Sequence, residues 1–450
     1  MSHLRLIDPK ALLAINPTVR RRIGTTAGAI VVGLVAFAFA GAADVAQKAF
    51  SQLSRSVYWA PALLTPLGFA LLAFLTQRLA PAARGSGIPQ VMHFARSVHD
   101  PKAQPLISAS TAAWKVVLTV GALLCGASVG REGPTVQVSA AIMAAFQRLT
   151  GTRLSSAMVI AGGAAGVSAA FNTPLAGVAF AIEELASAYE QRLAVIVMAA
   201  VMIAGLVSQG LEGDYIYFGG MHQALATGMA FMIAPLAGVF GGLLGALFSR
   251  SVLFFSISGG RAAIWAKRRP VTFALGCGIT VTAIGYLTNG ATWGTGYDAA
   301  RQMVEGHQAF SWFGPAKFLS SLATAVSGIA GGIFAPSLAV GAGVGNILAL
   351  AFPGSGAGPI VVLGMVGYFV GVVRAPLTGV IIVSEMTDSR SLLLPLFATA
   401  LIADAVSGLV CRERLYGALS KTFESMSTPT ATHPDNVENS EIGARSTGHV

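Results

Sequence analysis

One glutamate, Glu132, stands in the stretch GREGP (130–134), inside a run of Ala, Val, Leu and Gly with almost no other charge. Proline is tolerated in the first turn of a helix, and glycine permits a tight backbone before it, so the stretch predicts a helix start. The first N–H groups of a helix lack partners and carry the positive end of its dipole, which favours an anion. Glu132 is then a built-in anion at an anion site. Because protonation removes its charge, one side chain would couple proton binding to anion access.

Two further stretches have the same construction, GSGIP (85–89) and GGIFAP (331–336). The residue that matches Glu132 in the second of these is Phe334, so the two copies share a backbone frame and differ in charge. For Arg131, beside Glu132, we expect a structural role, through an ion pair or by extending its charge towards water.

The elements that must position these motifs are membrane helices. Hydrophobic residues make up 54% of the chain and charged residues 11%, with 53 glycines in 450 residues, which is unlike an ordinary soluble domain. Apolar runs at 23–42, 193–211 and 231–248 are each about 20 residues long, enough to span a bilayer. Between 108 and 184, and again between 315 and 385, Gly and Pro interrupt the apolar pieces, which predicts helices broken within the membrane. The predicted class is an all-α polytopic membrane protein.

The net charge of +10 comes from basic clusters before residue 23, at 259–269 and at 411–415. These clusters are typical of cytoplasmic loops. No basic and aromatic surface module accompanies them, so we expect no nucleic-acid partner.

Three segments are predicted along the chain. Residues 1–22 form a cytoplasmic N-terminal segment, residues 23–420 form one membrane domain, and residues 421–450 form a polar tail whose composition does not require folding. We expect both termini to be cytoplasmic.

The membrane domain contains an internal repeat, with halves at about 23–212 and 225–420. Identical residues recur at a constant offset of 202 without a gap: Lys115 with Lys317, Gly126 with Gly328, Gly130 with Gly332, Pro134 with Pro336, Pro174 with Pro376, Gly177 with Gly379, and Glu183 with Glu385. Transporters use duplicated halves with broken helices to build a site near the bilayer midplane. These matches alone leave open whether the halves are parallel or inverted.

The joint occurrence, in order, of GSGIP, GREGP and GGIFAP resembles the CLC family of chloride channels and chloride/proton antiporters. The resemblance covers about residues 24–420 and is to the short prokaryotic type without appended regulatory domains. It implies the CLC-type inverted-repeat fold and a homodimer with one anion pathway in each subunit. It also implies a bacterial inner membrane as the location.

The resemblance also implies roles for individual residues. The hydroxyl of Ser86, the backbone amides of Ile333 and Phe334, and Tyr416 in RLYGALS would bind the central anion. Glu132 would be the external gating glutamate. Gly85, next to Ser86, is an accessory candidate, as is Arg131.

In the antiporter branch, the second glutamate of a pair after PLAG accepts the proton on the cytoplasmic side. The stretch PLAGVAFAIEE (174–184) supplies Glu183 and Glu184. The resemblance therefore assigns Glu184 as internal proton acceptor, with Glu183 as an accessory residue. The alternative is that both glutamates only cap or charge a helix end near water. For Glu385, the repeat mate of Glu183, we expect a structural role.

Two functions share this anion site: secondary active exchange of chloride for protons, and a passive voltage- or pH-gated chloride channel. A channel needs no internal proton acceptor, and channel branches commonly lack a glutamate at this place, so Glu184 favours exchange. The serine at position 86 resembles that of chloride-preferring members. An intramembrane hydrolase using Ser128 would need a base that its segment does not offer, so we expect no enzyme activity.

Cofactors and nucleotides are not expected. The three cysteines and seven histidines have no metal-ligand spacing, and no Walker motif occurs. Chloride is expected as the bound substrate. The stretch GAGVGN (341–346) predicts close helix packing.

Overall fold

The computed structural model describes residues 16–185, 191–213, 217–219, 225–307 and 309–424. This part of the chain is helical, and it contains isolated bridges but no β-strand. The predicted 1–22 segment is described only from Asn16 onward, and Pro17 already begins a helix. Most of the predicted polar tail lies outside the described residues.

The first half of the described chain has eight α-helices. They are α1 Pro17–Ser56, α2 Ala60–Leu79, α3 Ile88–Arg96, α4 Ala109–Leu124, α5 Glu132–Leu149, α6 Ser156–Phe171, α7 Pro174–Phe180 and α8 Gln191–Glu212. Helix α7 continues directly into a π-helical turn, Ala181–Leu185.

The second half of the described chain has ten α-helices. They are α9 Thr227–Ile257, α10 Arg261–Arg268, α11 Pro270–Leu287, α12 Tyr297–Val304, α13 Phe313–Val326, α14 Phe334–Leu350, α15 Ala357–Val373, α16 Pro376–Thr387, α17 Leu393–Val410 and α18 Leu415–Lys421.

Helix lengths agree with a membrane fold whose central helices are broken. Six described helices are long and apolar enough to cross a membrane: α1, α2, α8, α9, α11 and α17. Five apolar helices are shorter, between 10 and 17 residues: α4, α6, α14, α15 and α16. The short helices fall in the two regions where Gly and Pro interrupt the apolar sequence, so the prediction of broken helices is confirmed.

The two halves correspond helix by helix: α1 corresponds to α9, and α2–α8 correspond in order to α11–α17. The halves contact each other at equivalent residues. The Gly130 N–H donates to the Gly332 oxygen at 2.8 Å, and the Gly332 N–H donates to the Gly130 oxygen at 2.7 Å. This pairing is antiparallel, so equivalent segments run in opposite directions. Pairing of this kind indicates a two-fold relation between the halves, as an inverted repeat requires.

Helices in the interior approach closely at glycines, as small residues allow in membrane proteins. A Cβ added at Gly345 of α14 would lie 2.5 Å from the Val361 Cα of α15, and one at Gly241 of α9 would lie 2.3 Å from the backbone of Gly367. The GAGVGN stretch thus packs helix against helix, as predicted. Helix α15 is buried along nearly its whole length and forms the centre of the second half.

Candidate functional site

The GSGIP stretch forms a tight loop held by a buried lysine. Gly85 and Gly87 have φ angles of 64° and 102°, in the left-handed region that favours glycine, and α3 begins at Ile88. Lys115 Nζ donates to the carbonyl oxygens of Ala83 and Gly85, each at 2.7 Å. The Gly85 oxygen also accepts from the Gly331 N–H at 3.1 Å. Gly85 therefore joins the Ser86 loop to the break before α14.

A cavity of about 540 Å³ lies against these loops. Ser86, Ile333 and Tyr416 line it, with Ser128 and Arg84 among the other lining residues. The Ser86 and Tyr416 hydroxyls are close neighbours, yet within the described chain neither has a partner in hydrogen-bonding geometry. Buried hydroxyls usually have such a partner, so two unsatisfied donors beside a cavity suit an anion.

Helix α14 adds backbone donors to the same place. Ile333 is its N-cap and Phe334 its first residue, so no carbonyl of α14 can accept their N–H groups. The Phe334 side chain is fully buried against aromatic rings, with centroids 5.0 Å from Phe369 and 6.1 Å from Tyr416. The Phe334 ring therefore belongs to the core, while its amide is one of the unpaired donors at the start of α14.

Glu132 is fully buried at the start of α5. Its Oε1 accepts a hydrogen bond of 2.5 Å from the Tyr297 hydroxyl, while Oε2 has no hydrogen-bond partner among the described residues. The backbone amide of Ala335, in the first turn of α14, lies close enough to stabilise the carboxylate. The carboxylate is therefore placed at the positive end of α14, where an anion would bind.

The two glycines of GREGP make room for this arrangement. A Cβ at Gly130 would lie 2.1 Å from the Glu132 Oε2, and one at Gly133 would lie 2.4 Å from the Ser86 Oγ. The motif thus brings both the Glu132 carboxylate and the Ser86 hydroxyl against the backbone at the start of α5.

The hydrogen bonds and the ion pair of Arg131 involve residues that do not line the cavity. Its Nη1 donates to the Ala40 oxygen at 2.6 Å and forms an ion pair with Asp44 at 2.7 Å, and its Nη2 donates to the Tyr217 hydroxyl. A buried guanidinium needs such partners. This geometry fits the structural role expected for Arg131.

Glu184 lies in the π-helical turn and is 6% exposed. Single π turns within helices are frequent at functional sites. Its Oε2 has no hydrogen-bond partner in the described chain, and the charges of Arg96 and Arg414 act on it. Tyr416 lies within electrostatic range of both Glu184 and Glu132.

Glu183 is placed differently from its neighbour. Its carboxylate accepts from the N–H groups of Leu377 at 3.1 Å and Thr378 at 2.7 Å, which begin α16. Glu385 reciprocates, accepting from the N–H groups at the start of α7, Leu175 at 3.3 Å and Ala176 at 2.9 Å. Glu183 and Glu385 therefore each cap a helix in the other half of the molecule. The alternative that both glutamates of the pair only cap a helix end fits Glu183, but it does not fit the buried Glu184.

Tyr297, the side chain bonded to Glu132, is absent from the sequence predictions. It follows the stretch GTG (294–296), which copies GSG (85–87) at an offset of 209 instead of 202. Gly294 and Gly296 have φ angles of 68° and 88°, like their counterparts. This fourth helix start lies outside the segment that matches at an offset of 202. Allowing the offset to grow by seven residues in the repeat search would have found it.

The hydroxyl of Ser128 interacts with another hydroxyl, that of Ser321, at 3.0 Å. A serine nucleophile needs a neighbouring base. The geometry therefore does not favour a hydrolase.

An inverted helical repeat whose helix starts meet at a buried cavity lined by hydroxyl and amide donors defines a membrane transport protein of the broken-helix class. The family model described as voltage gated chloride channel matches residues 68–408. The chain therefore belongs to the voltage gated chloride channel family, the CLC family.

Curated relatives match nearly the whole chain. A protein of Yersinia pestis bv. Antiqua (strain Angola), named H(+)/Cl(-) exchange transporter ClcA, is 32% identical over 453 residues, covering 92% of this chain and 91% of its own length. A protein of the same name from Klebsiella pneumoniae (strain 342) is 32% identical, covering 88% of this chain and 86% of its own.

Solved structures share the fold. A slow cyanobacterial Cl-/H+ antiporter superposes with a TM-score of 0.77 at 23% identity, covering 91% of this chain and 99% of its own. A CLC-type fluoride/proton antiporter superposes with a TM-score of 0.73 at 20% identity, covering 88% of this chain and 96% of its own.

Proposed function

We propose that this protein is a secondary active transporter that exchanges chloride for protons across a membrane. The observation that carries the proposal is the position of the buried Glu132 carboxylate near the Ala335 amide of α14, a helix start whose N-cap Ile333 lines a cavity together with Ser86 and Tyr416. The relatives that are 32% identical over most of the chain are named H(+)/Cl(-) exchange transporters, which favours the same function.

Chloride is the substrate in this proposal, and no cofactor takes part. The hydroxyls of Ser86 and Tyr416 and the amides of Ile333 and Phe334 replace part of its hydration shell, as donors do in selective anion sites. Ionised Glu132 occupies the next anion position, at the N-terminus of α14. When Glu132 takes up a proton, its attraction to the helix end is lost and the anion path opens.

Protons reach Glu132 from the other side of the membrane through Glu184. Glu184 is buried and has an unsatisfied carboxyl oxygen, as a group that receives and passes on a proton requires. Tyr416 is electrostatically coupled to both glutamates, which supports a common path for the proton and the anion around this residue.

The test is chloride-driven proton movement in proteoliposomes that contain the purified protein. A chloride gradient is imposed without a proton gradient, and an ionophore clamps the voltage. Uphill proton movement that reverses with the chloride gradient is the expected result. Chloride flux without proton movement would replace the proposal by the passive channel, which shares the anion site and does not need Glu184.

Under the same proposal, the protein is a multi-pass homodimer of a bacterial inner membrane with both termini in the cytoplasm. Family membership and the basic clusters at 259–269 and 411–415 support this arrangement. Cross-linking of purified protein in detergent at low concentration should yield a band of twice the monomer mass. Fusion reporters at both ends should report the cytoplasm.

A further inference from the structure

Tyr297 makes the one side-chain hydrogen bond to Glu132 in the described part of the chain. The phenol donates to Glu132 Oε1 at 2.5 Å. Phenols and carboxylates form charge-assisted hydrogen bonds, which are shorter and stronger than neutral ones. The bond favours the ionised, path-blocking form of Glu132, because protonation removes the charge that strengthens it.

The loop before Tyr297 is fixed in place. Lys317 Nζ donates to the carbonyl oxygens of Thr292 at 2.9 Å and Gly294 at 2.7 Å. The side-chain oxygen of Gln47, from α1, accepts from both the N–H and the hydroxyl of Thr295. With Gly296 in the left-handed region, α12 begins at Tyr297 with little freedom.

The ring of Tyr297 is also held from the side. It lies 4.9 Å from the ring of Tyr217 and 5.5 Å from that of Phe218. The Tyr217 hydroxyl in turn accepts from Arg131, which is bound to Asp44. These contacts orient the phenol from one side, while Glu132 accepts its hydrogen bond on the other.

We propose that Tyr297 is a positioning residue that holds ionised Glu132 in the anion path. This inference rests on the proposed function, in which Glu132 and chloride compete for the start of α14. The Tyr297 hydroxyl strengthens Glu132 in that competition. Its removal should therefore let chloride bind more tightly.

The experiment compares Tyr297→Phe with the parent protein by isothermal titration of chloride. The substitution keeps the ring, so the aromatic contacts remain, and the thermal midpoint checks the fold. Loss of one hydrogen bond to a charged acceptor predicts a chloride Kd lower by about tenfold. Tyr286→Phe, which removes a hydroxyl bonded to the Tyr58 oxygen, is the matched control and should leave the Kd unchanged.

The same substitution in a Glu132→Ala background separates positioning from a general structural effect. With the competitor absent, Tyr297→Phe should no longer change the Kd, whereas a structural role would act in both backgrounds. An unchanged Kd for Tyr297→Phe alone, with tighter binding in Glu132→Ala, would overturn the Tyr297 proposal only. If Glu132→Ala itself does not tighten chloride binding, the gate assignment in the proposed function is wrong.

Discussion

The two halves of the molecule are built with the same bonds but contribute different chemistry. Lys115 and Lys317 each donate to two carbonyl oxygens of a glycine loop, and Glu183 and Glu385 each cap a helix in the other half. At the equivalent first position of α5 and α14, however, the first half has Glu132 and the second half has Phe334. The shared groups maintain the frame, and the groups that differ include those that we propose for anion and proton binding.

The glycine loops repeat this contrast on a smaller scale. The Ser86 hydroxyl is left without a partner beside the cavity, whereas Thr295, its counterpart, bonds Gln47. Glu184 is buried with an unsatisfied oxygen, and its counterpart at the offset of 202 is the core residue Met386. In a symmetric fold, polar groups left unpaired in one half only are the candidates for function.

The largest expected effect comes from removing the charge that distinguishes the first half. Glu132→Gln cannot change its charge with a proton, so proton movement should fall to the leak of empty liposomes while chloride flux continues. Proton and chloride fluxes are measured together in proteoliposomes. Glu385→Gln, which removes a carboxylate from the second half, is the control and should stay coupled. Retained coupling in Glu132→Gln would contradict the gate assignment.

The lysine pair should show equal structural effects and unequal functional ones. Lys115→Met and Lys317→Met each remove two hydrogen bonds to buried carbonyl oxygens, which should cost about 2–4 kcal/mol of stability. Denaturation midpoints in detergent measure this loss. Only Lys115→Met should also weaken chloride binding, because Lys115 holds the Ser86 loop. Equal weakening by both variants would mean that the two loops serve the anion alike.

The reciprocal caps should give the smallest effect, shared equally between the halves. Glu183→Gln and Glu385→Gln each remove a charge from a helix N-terminus, which should cost about 1 kcal/mol or less. The thermal midpoint in detergent should fall slightly and by similar amounts, with transport retained. A midpoint loss confined to one variant would show that the two caps are not equivalent.

The sequence predicts the frame well, because helix starts and membrane helices depend on local signals. Gly87 and Pro89 mark the start of α3, and the GREGP and GGIFAP breaks mark those of α5 and α14. Tyr297 escapes such reasoning because its copy of the motif is shifted by seven residues and its partner is distant in sequence. Tertiary packing alone decides that contact.

The neighbouring glutamates show a second limit. Successive helical residues point about 100° apart, so one of a pair can face another helix while the other faces the interior. Which side holds the other half of the molecule is a property of the whole fold. The sequence therefore indicates a glutamate pair, and the structure separates Glu183 at a helix end from Glu184 in the core.

The central claim is that only the first half supplies groups that carry protons, and the glutamate pair tests it most directly. The measurement is chloride-driven proton flux in Glu184→Gln beside Glu183→Gln, with chloride flux recorded in the same liposomes. We predict that Glu184→Gln moves chloride without protons and that Glu183→Gln remains coupled. Coupled proton movement in Glu184→Gln would contradict the claim, because the proton would then reach Glu132 without this buried carboxyl group.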